Sequence, residues 1–498
     1  MEELRQPIIL GSVLFYMVLC IGIGLWAMRK TKSAGDFFVA GRSLGPIVVG
    51  LAVFSSSLSG FGFVGGPGLV YSTGLSSVWM STVTAFGFAI GFFLIAKRIR
   101  MIAEVRDTLS LPDIVAARYN SELARGLTGV TILLGVLGYM ATQILAMAMV
   151  LKALLAATPM FADISLVTCA VISTSVLIFY SVTGGIIASV YTDLVQGSIM
   201  IVAGILVVIT AANVFDGGMT EVSQTIFADD PEAIMPFGTV GAVGVLSWFF
   251  LFGFGLAGQP HIITKMMMNR RIEDNKIILP MSMLGYAVAV LLWVSVGLVM
   301  RAVVVGDMLT PLEAADQAAP VFLSEYAHPL LAGIVFAGLF AAIMSTADAF
   351  LNIGAAAIVH DIPKAVRGMA MKAELTSARW ATVIISLIAT GFALYAHYGS
   401  GQLVALLGAF GWGTFAAAIV PIVVIGLNWK RATRPAAITA IIFSLVINLA
   451  FQVLGWSLPY AMHPGFLALL VSMVLFILVS FATPEEEIAK DINRIMEL

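Results

Sequence analysis

Charge is scarce in this chain. Asp, Glu, Lys and Arg supply 11% of its 498 residues, against 60% hydrophobic residues and a mean hydropathy of +1.02. Soluble domains carry roughly a quarter of their residues as charges, so a large soluble domain is excluded. Basic blocks are missing too, and the net charge is −2; nothing invites nucleic acid. Only two cysteines occur, Cys20 and Cys169, both inside apolar runs. They supply neither a disulfide framework nor metal-ligand spacing. No H-E-x-x-H zinc motif or phosphate-binding G-x-x-x-x-G-K-[ST] loop is present, and Gly253-Phe254-Gly255 lies inside an apolar run, where no strand can precede it. The chain is not expected to be an enzyme.

What is abundant is hydrocarbon. A bilayer core of about 30 Å takes about 20 apolar residues in a helix. The runs place spans at 8–28, 45–71, 76–96, 124–154, 163–183, 190–214, 240–267, 275–301, 320–357, 376–398, 402–427, 434–455 and 461–482. Thirteen transmembrane helices make an all-α membrane protein. The first run lacks a positive leader and a cleavage site, so it is expected to be a retained span. An odd count puts the termini on opposite sides. With the N-terminus outside, the inside loops collect Arg29, Lys30, Lys32 and Arg42, then Lys97 to Arg125, Lys265 to Lys276, Lys364 to Arg379, and Lys430 to Arg494. That is 23 of 26 basic residues, leaving Arg5, Lys152 and Arg301. The positive-inside rule then predicts a cytoplasmic C-terminus and a cell (inner) membrane location.

Two spans have broken interiors. One reads F-S-S-S-L-S-G-F-G-F-V-G-G-P-G, Phe54 to Gly68; the other F-G-F-G-L-A-G-Q-P-H, Phe252 to His261. Glycine and proline at this density cannot sustain a helix. Matched interrupted spans point to an inverted-repeat transporter with its site near the midplane. One leading span (8–28), two five-helix repeats (45–214 and 240–427) and two trailing spans (434–482) place each break at the start of a repeat.

A third stretch, F-A-G-L-F-A-A-I-M-S-T-A-D-A-F from Phe336 to Phe350, carries Ser345, Thr346 and Asp348 within an apolar span. An intramembrane charge costs about 2.5–3.5 kcal/mol, so it is expected to face a cavity, an ion or a partner. Sodium takes oxygen ligands, and unwound backbone supplies carbonyls. The carbonyls of Ser55, Leu58 and Ala342 with the hydroxyls of Ser345 and Thr346 compose such a site. Asp193, in S-V-Y-T-D-L-V-Q-G, is either a helix cap or, with Asp348, a second cation or proton site. Tyr139, Gln143, Phe252, Phe254 and Gln259 are candidates to line a small organic solute.

These stretches resemble the sodium:solute symporter family, in its sodium/proline branch. The resemblance is carried by G-R-S-L-G-P from Gly41, the Ser59-Gly60 pair, T-G-G with Y-T-D-L-V-Q, G-Q-P-H-I-I and A-A-I-M-S-T. It implies a leucine-transporter-type core of two inverted five-helix repeats, sodium as the transported coupling ion, and alternating access. It also implies the ligand set Ser55, Leu58, Ala342, Ser345 and Thr346, a functional acid at Asp193, and a substrate contact at Tyr139. Ser57 stands where the proline branch has an acid, and Phe252 and Leu256 where it has polar aromatics. These departures remove hydrogen-bonding groups expected for proline, so the resemblance does not commit the chain to proline. Asp348 falls where related sialic acid transporters hold a second sodium. The expected function is sodium-driven uptake of an amino acid or monocarboxylate, with sugar or proline as alternative substrates. A solute-gated channel or a non-transporting sensor is the alternative of another class. Oligomeric state is not legible.

Overall fold

Hydrocarbon leaves the backbone one economical way to satisfy its N–H and C=O groups within a single segment, which is the helix. The computed structural model describes residues 2–29, 33–156, 158–400 and 404–498. No strand occurs among these residues; Leu44 and Asn269 form an isolated extended bridge.

Helix α1 (Glu2–Met28) is the leading span. The second span is split into α2 (Pro46–Ser57) and α3 (Gly66–Thr73), joined through a wide π-helical turn at Phe61–Gly65. Short helices including Thr84–Gly91 and Lys97–Val105 carry the third. Then follow α4 (Glu122–Ala156) and α5 (Leu166–Ala212). The second split span is α6 (Gly241–Gly255) and α7 (Pro260–Met266). After it come α8 (Asn275–Val305), α9 (Pro329–Ala356), α10 (Glu374–Tyr395) and α11 (Val404–Ile419). The trailing pair is α12 (Arg434–Leu454) and α13 (Pro464–Ala482).

Among the described residues, eleven helical stretches are long and apolar enough to cross a membrane, and the other two expected spans appear as shorter apolar pieces, Pro46–Ser57 and Leu166–Phe179. The expected spans 163–183 and 190–214 both fall within α5, as the apolar pieces Leu166–Phe179 and Ser189–Ala212.

The packing is reciprocal. α2 lies on α8, while α6 lies on Thr84–Gly91. The long helices α4 and α9 pack on each other, and α5 covers α2 as α11 covers α6. The first helix of each half thus rests on the second of the other half, as inverted repeats require. α1 rests on α5 and α9, and α12 with α13 on α11.

The loops expected on one side do meet. Arg42 pairs with Asp107, Arg106 with Asp491, and Lys430 with Glu497. Arg118 donates to the carbonyls of Gly426 and Trp429. On the other side Arg301 pairs with Asp230 and reaches the carbonyls of Tyr71 and Ser72. Lys30 and Lys32 lie outside the described residues. Lys265 departs from its expected loop: it sits in α7 and its side chain is 1% exposed.

Candidate functional site

The first break begins with serines turning on their own helix. Ser56 Oγ donates to the Ala52 carbonyl at 2.6 Å and Ser57 Oγ to the Phe54 carbonyl at 2.6 Å. Such back-bonding loosens a helix end, and Leu58 is extended at φ −104°, ψ 102°. Each next residue then takes a partner from another helix. Thr346 Oγ1 donates to the Ser56 carbonyl at 3.3 Å, Ser59 Oγ pairs with Tyr139 OH at 3.2 Å, and Gly60 N–H donates to Gln143 Oε1 at 2.9 Å. Gly66 has to lack a side chain, since a Cβ there would lie 2.2 Å from the Trp293 ring. The second break follows from sequence more simply. Pro260 disfavours helical backbone before it, and Gln259 is extended at φ −75°, ψ 114°.

Beside the first break lies a buried group of charges and hydroxyls. Asp193 is fully buried inside α5, so it caps nothing. Ser345 Oγ donates to one of its carboxylate oxygens. Lys265 Nζ lies 2.8 Å from the other, 2.5 Å from Ser56 Oγ and 2.8 Å from the Ala52 carbonyl. Gln196 donates to Tyr16 OH at 2.7 Å, so the leading helix braces α5 just beyond Asp193. Asp348 is 2% exposed and within electrostatic range of both Asp193 and Lys265. Its Oδ2 makes no hydrogen bond among the described residues, and the hydroxyls facing it are Ser181 and Ser189.

The other side of the break is aromatic. Phe61 is its centre, with ring centroids 5.8 Å from Phe252, 5.6 Å from Trp293 and 6.4 Å from both Tyr139 and Trp412. Phe252 stacks on Trp412 at 5.2 Å, and Tyr139 meets Phe350 at 4.5 Å. Four buried polar atoms in this region lack a hydrogen-bond partner among the described residues: Trp293 Nε1, Trp412 Nε1, Gln143 Nε2 and Gln259 Oε1. Buried polar groups normally find partners, so three donors and an acceptor are left for something else.

The structure thus brings together Ser345, Thr346, Asp193 and Asp348, and separately Tyr139, Gln143, Phe252 and Gln259. Ser345 and Thr346 engage Asp193 and the Ser56 carbonyl, one residue along from the Ser55 carbonyl of the expected ligand set. The Ser55 carbonyl accepts the Leu58 N–H at 3.2 Å instead. Leu58, at the break, and Ala342, in α9, are both buried. Two expected substrate contacts fall elsewhere. Phe254 is 36% exposed and stacks on Phe250, because two residues of helix turn it about 200° away from Phe252 on the inner face. Leu256 packs on Gly87 of the third span. Sequence reasoning passed over Lys265, Ser56, Phe61 and Trp293. The signal for Lys265 was a lysine between Ile262-Ile263 and Met266-Met267-Met268.

A second polar group closes the basic face. Asp113, His360 and Asp361 place ligand-type atoms within 4.8 Å of one another. Asp113 is already shared by Arg125, His360 and Lys364, and His360 also meets Glu374 at 2.6 Å. This is an ion-pair clamp between Leu111–Tyr119, α4 and the end of the α9 span. Burial pushes the Asp113 carboxyl up, but the bond and charge of His360, the Leu109 N–H and Arg125 outweigh it and hold it well below the ordinary range.

Broken helices crossed by a long helix, with a buried ion-type group on one side and an aromatic group on the other, define a secondary transporter. A family model, the sodium:solute symporter family, matches residues 37–444. The sodium/proline symporter of Staphylococcus aureus (strain JH9) is 27% identical, over 97% of this chain and 94% of that protein. A solved structure of a substrate-bound, outward-open Na⁺-coupled sialic acid symporter shares the fold at a TM-score of 0.75 and 18% identity, covering 97% of this chain and 99% of the other. Mhp1, a nucleobase-cation-symport-1 family transporter with bromovinylhydantoin bound, aligns at 0.56 and 14% identity, covering 93% and 98%. The chain belongs to the sodium:solute symporter family. It is a multi-pass membrane transporter of leucine-transporter type, not an enzyme, and sodium is its coupling ion.

Proposed function

We propose that the protein imports a small organic solute, a monocarboxylate or an amino acid, together with sodium. The observation that carries this reading is the continuity of the first break. Ser56 belongs to the ion-type group, and Ser59 and Gly60, three and four residues on, hold Tyr139 and Gln143 of the aromatic group. Movement of this one segment reaches both groups, which is what coupling needs. Sodium is proposed to bind between the break and α9, with Ser345, Thr346 and carbonyls of Ser55, Leu58 and Ala342 as ligands. Asp193 and Asp348 are proposed to serve a second cation or a proton. The relative named for sialic acid is described with a novel Na⁺ site, and a second ion here would use the acid pair.

The solute is proposed to lie among Tyr139, Gln143, Phe252, Gln259, Trp293 and Trp412. Two indole N–H groups and an amide suit a carboxylate, and the rings suit a short apolar body. The repeats are proposed at 45–214 and 240–427, with 8–28 leading and 434–482 trailing. The N-terminus is proposed to be outside and the C-terminus cytoplasmic, in the cell (inner) membrane. A thermal-shift screen of short monocarboxylates, amino acids and sugars, each with sodium or choline, tests the function. Stabilisation by one carboxylate-bearing class in sodium only is expected. Stabilisation by sugars instead, or an effect indifferent to sodium, would overturn it.

A further inference from the structure

One positive charge in the interior has no place in the ligand sets above. The Lys265 side chain is 1% exposed, and its partner Asp193 is fully buried. An ammonium has three donors and no acceptor. Here all three find oxygens: Asp193 Oδ2 at 2.8 Å, the Ala52 carbonyl at 2.8 Å and Ser56 Oγ at 2.5 Å. Ser56 keeps its own proton on the Ala52 carbonyl, so it accepts from Lys265 without conflict. A carboxylate, a hydroxyl and a carbonyl in one buried place, with two more hydroxyls on Ser345 and Thr346 adjoining, are what an alkali cation requires. A cation already holds them, and it is covalently attached to the protein.

We propose that Lys265 is a tethered stand-in for sodium: its ammonium occupies the Asp193–Ser56–Ala52 oxygens when sodium is absent, and sodium binding at Asp193 displaces it. This rests on the proposed second cation site at Asp193 and Asp348, beside the first break. The geometry of the tether gives displacement a mechanical consequence. Lys265 stands on α7, the half-helix after the second break, whereas its three partners belong to α2 and α5. It is a link between the two broken spans at their buried ends. A second link lies just beyond, where Leu44 N–H donates to the Met268 carbonyl and Arg270 N–H to the Leu44 carbonyl. Exchange of the ammonium for an ion held by α2, α5 and α9 removes the inner link and leaves the outer one. Sodium binding and loosening of α7 from α2 then become one event. The exchange also avoids leaving Asp193 uncompensated, since a buried charge without a partner is strongly destabilising.

The test is a sodium titration of purified protein, at constant ionic strength with choline, read by radioactive sodium binding and by melting temperature. Lys265→Met removes the competitor and keeps the volume of the stem. Its half-saturating sodium concentration is expected to fall by about tenfold or more. It is also expected to melt earlier than wild type without sodium and to recover in sodium. Lys265→Arg retains a competitor and is expected to stay within about threefold of wild type. Unchanged or weaker sodium binding in Lys265→Met, with wild type binding normally, would overturn the tether and leave the ion site standing. Failure of both proteins to bind sodium would overturn the site and the tether together. The wild type supplies an arm that needs no variant: reductive methylation followed by peptide mass spectrometry. Sodium is expected to raise labelling of Lys265 severalfold over choline, and equal or lower labelling would contradict displacement.

Discussion

Replacing Ser345 by alanine removes one oxygen from the ion-type group and little else. The residue is fully buried in the middle of α9, where alanine is at least as good a helix former. Its hydroxyl donates to the buried Asp193 carboxylate. Hydrogen bonds to charged groups contribute about 1.5–3 kcal/mol, which converts to roughly a ten- to hundredfold change in an equilibrium constant. If that oxygen belongs to the sodium site, the half-saturating sodium concentration should rise by about that factor. Melting temperature against sodium concentration measures it without knowledge of the solute. Ser295→Ala is the matched control, since Ser295 is buried and bonds to the Leu292 carbonyl of its own helix. A half-saturating concentration within about twofold of wild type in Ser345→Ala would refute the assignment of Ser345 to the ion.

Other perturbations separate the remaining groups. Asp348→Asn should abolish cooperativity in sodium or in pH if the acid pair holds a second cation, and an unaltered sodium-dependence curve would remove Asp348 from the mechanism. Phe252→Ala should weaken solute binding by about tenfold, because it strips two ring contacts from the centre of the aromatic group, while Phe254→Ala should leave binding unchanged; equal losses would contradict the placement of these rings. Asp316 is buried between spans with the Val404 N–H at 2.8 Å, and burial pushes its carboxyl up from 3.8 to about 7. The folded protein therefore holds a proton that the unfolded chain releases. Stability from this group is full below about pH 4, falls by up to about 1.4 kcal/mol per pH unit as pH rises to about 7, and is flat above. Asp316→Asn should flatten that window in melting experiments, and an unchanged slope would show that another group sets it.

Much of this arrangement was legible in the chain because hydrocarbon penalises every exception. Each glycine-rich break, each acid and each hydroxyl pair in an apolar run stood out against its neighbours, and all the breaks occur where expected. Ser345, Thr346 and Asp193 meet although 152 residues separate Ser345 from Asp193. What escaped were residues whose types are ordinary in a membrane helix or at its end. Phe61 and Trp293 look like lipid-facing or packing aromatics until the fold points Phe61 at Phe252 and Trp293 at Phe61. Lys265 looks like one more basic loop residue, since periodicity alone cannot tell a helix end at the surface from a half-helix that ends inside.

In the proposed mechanism the sodium gradient drives solute uptake through the group at the first break. Proteoliposomes with an inward sodium gradient and a clamped membrane potential test it most directly, using the solute found by the thermal-shift screen. Wild type is expected to accumulate solute above its outside concentration and to lose that accumulation when a sodium ionophore is added. Ser345→Ala combined with Thr346→Ala is expected to equilibrate solute without accumulating it, or to need far more sodium. Accumulation by the double variant at the wild-type sodium concentration, or wild-type accumulation that survives collapse of the gradient, would contradict the account.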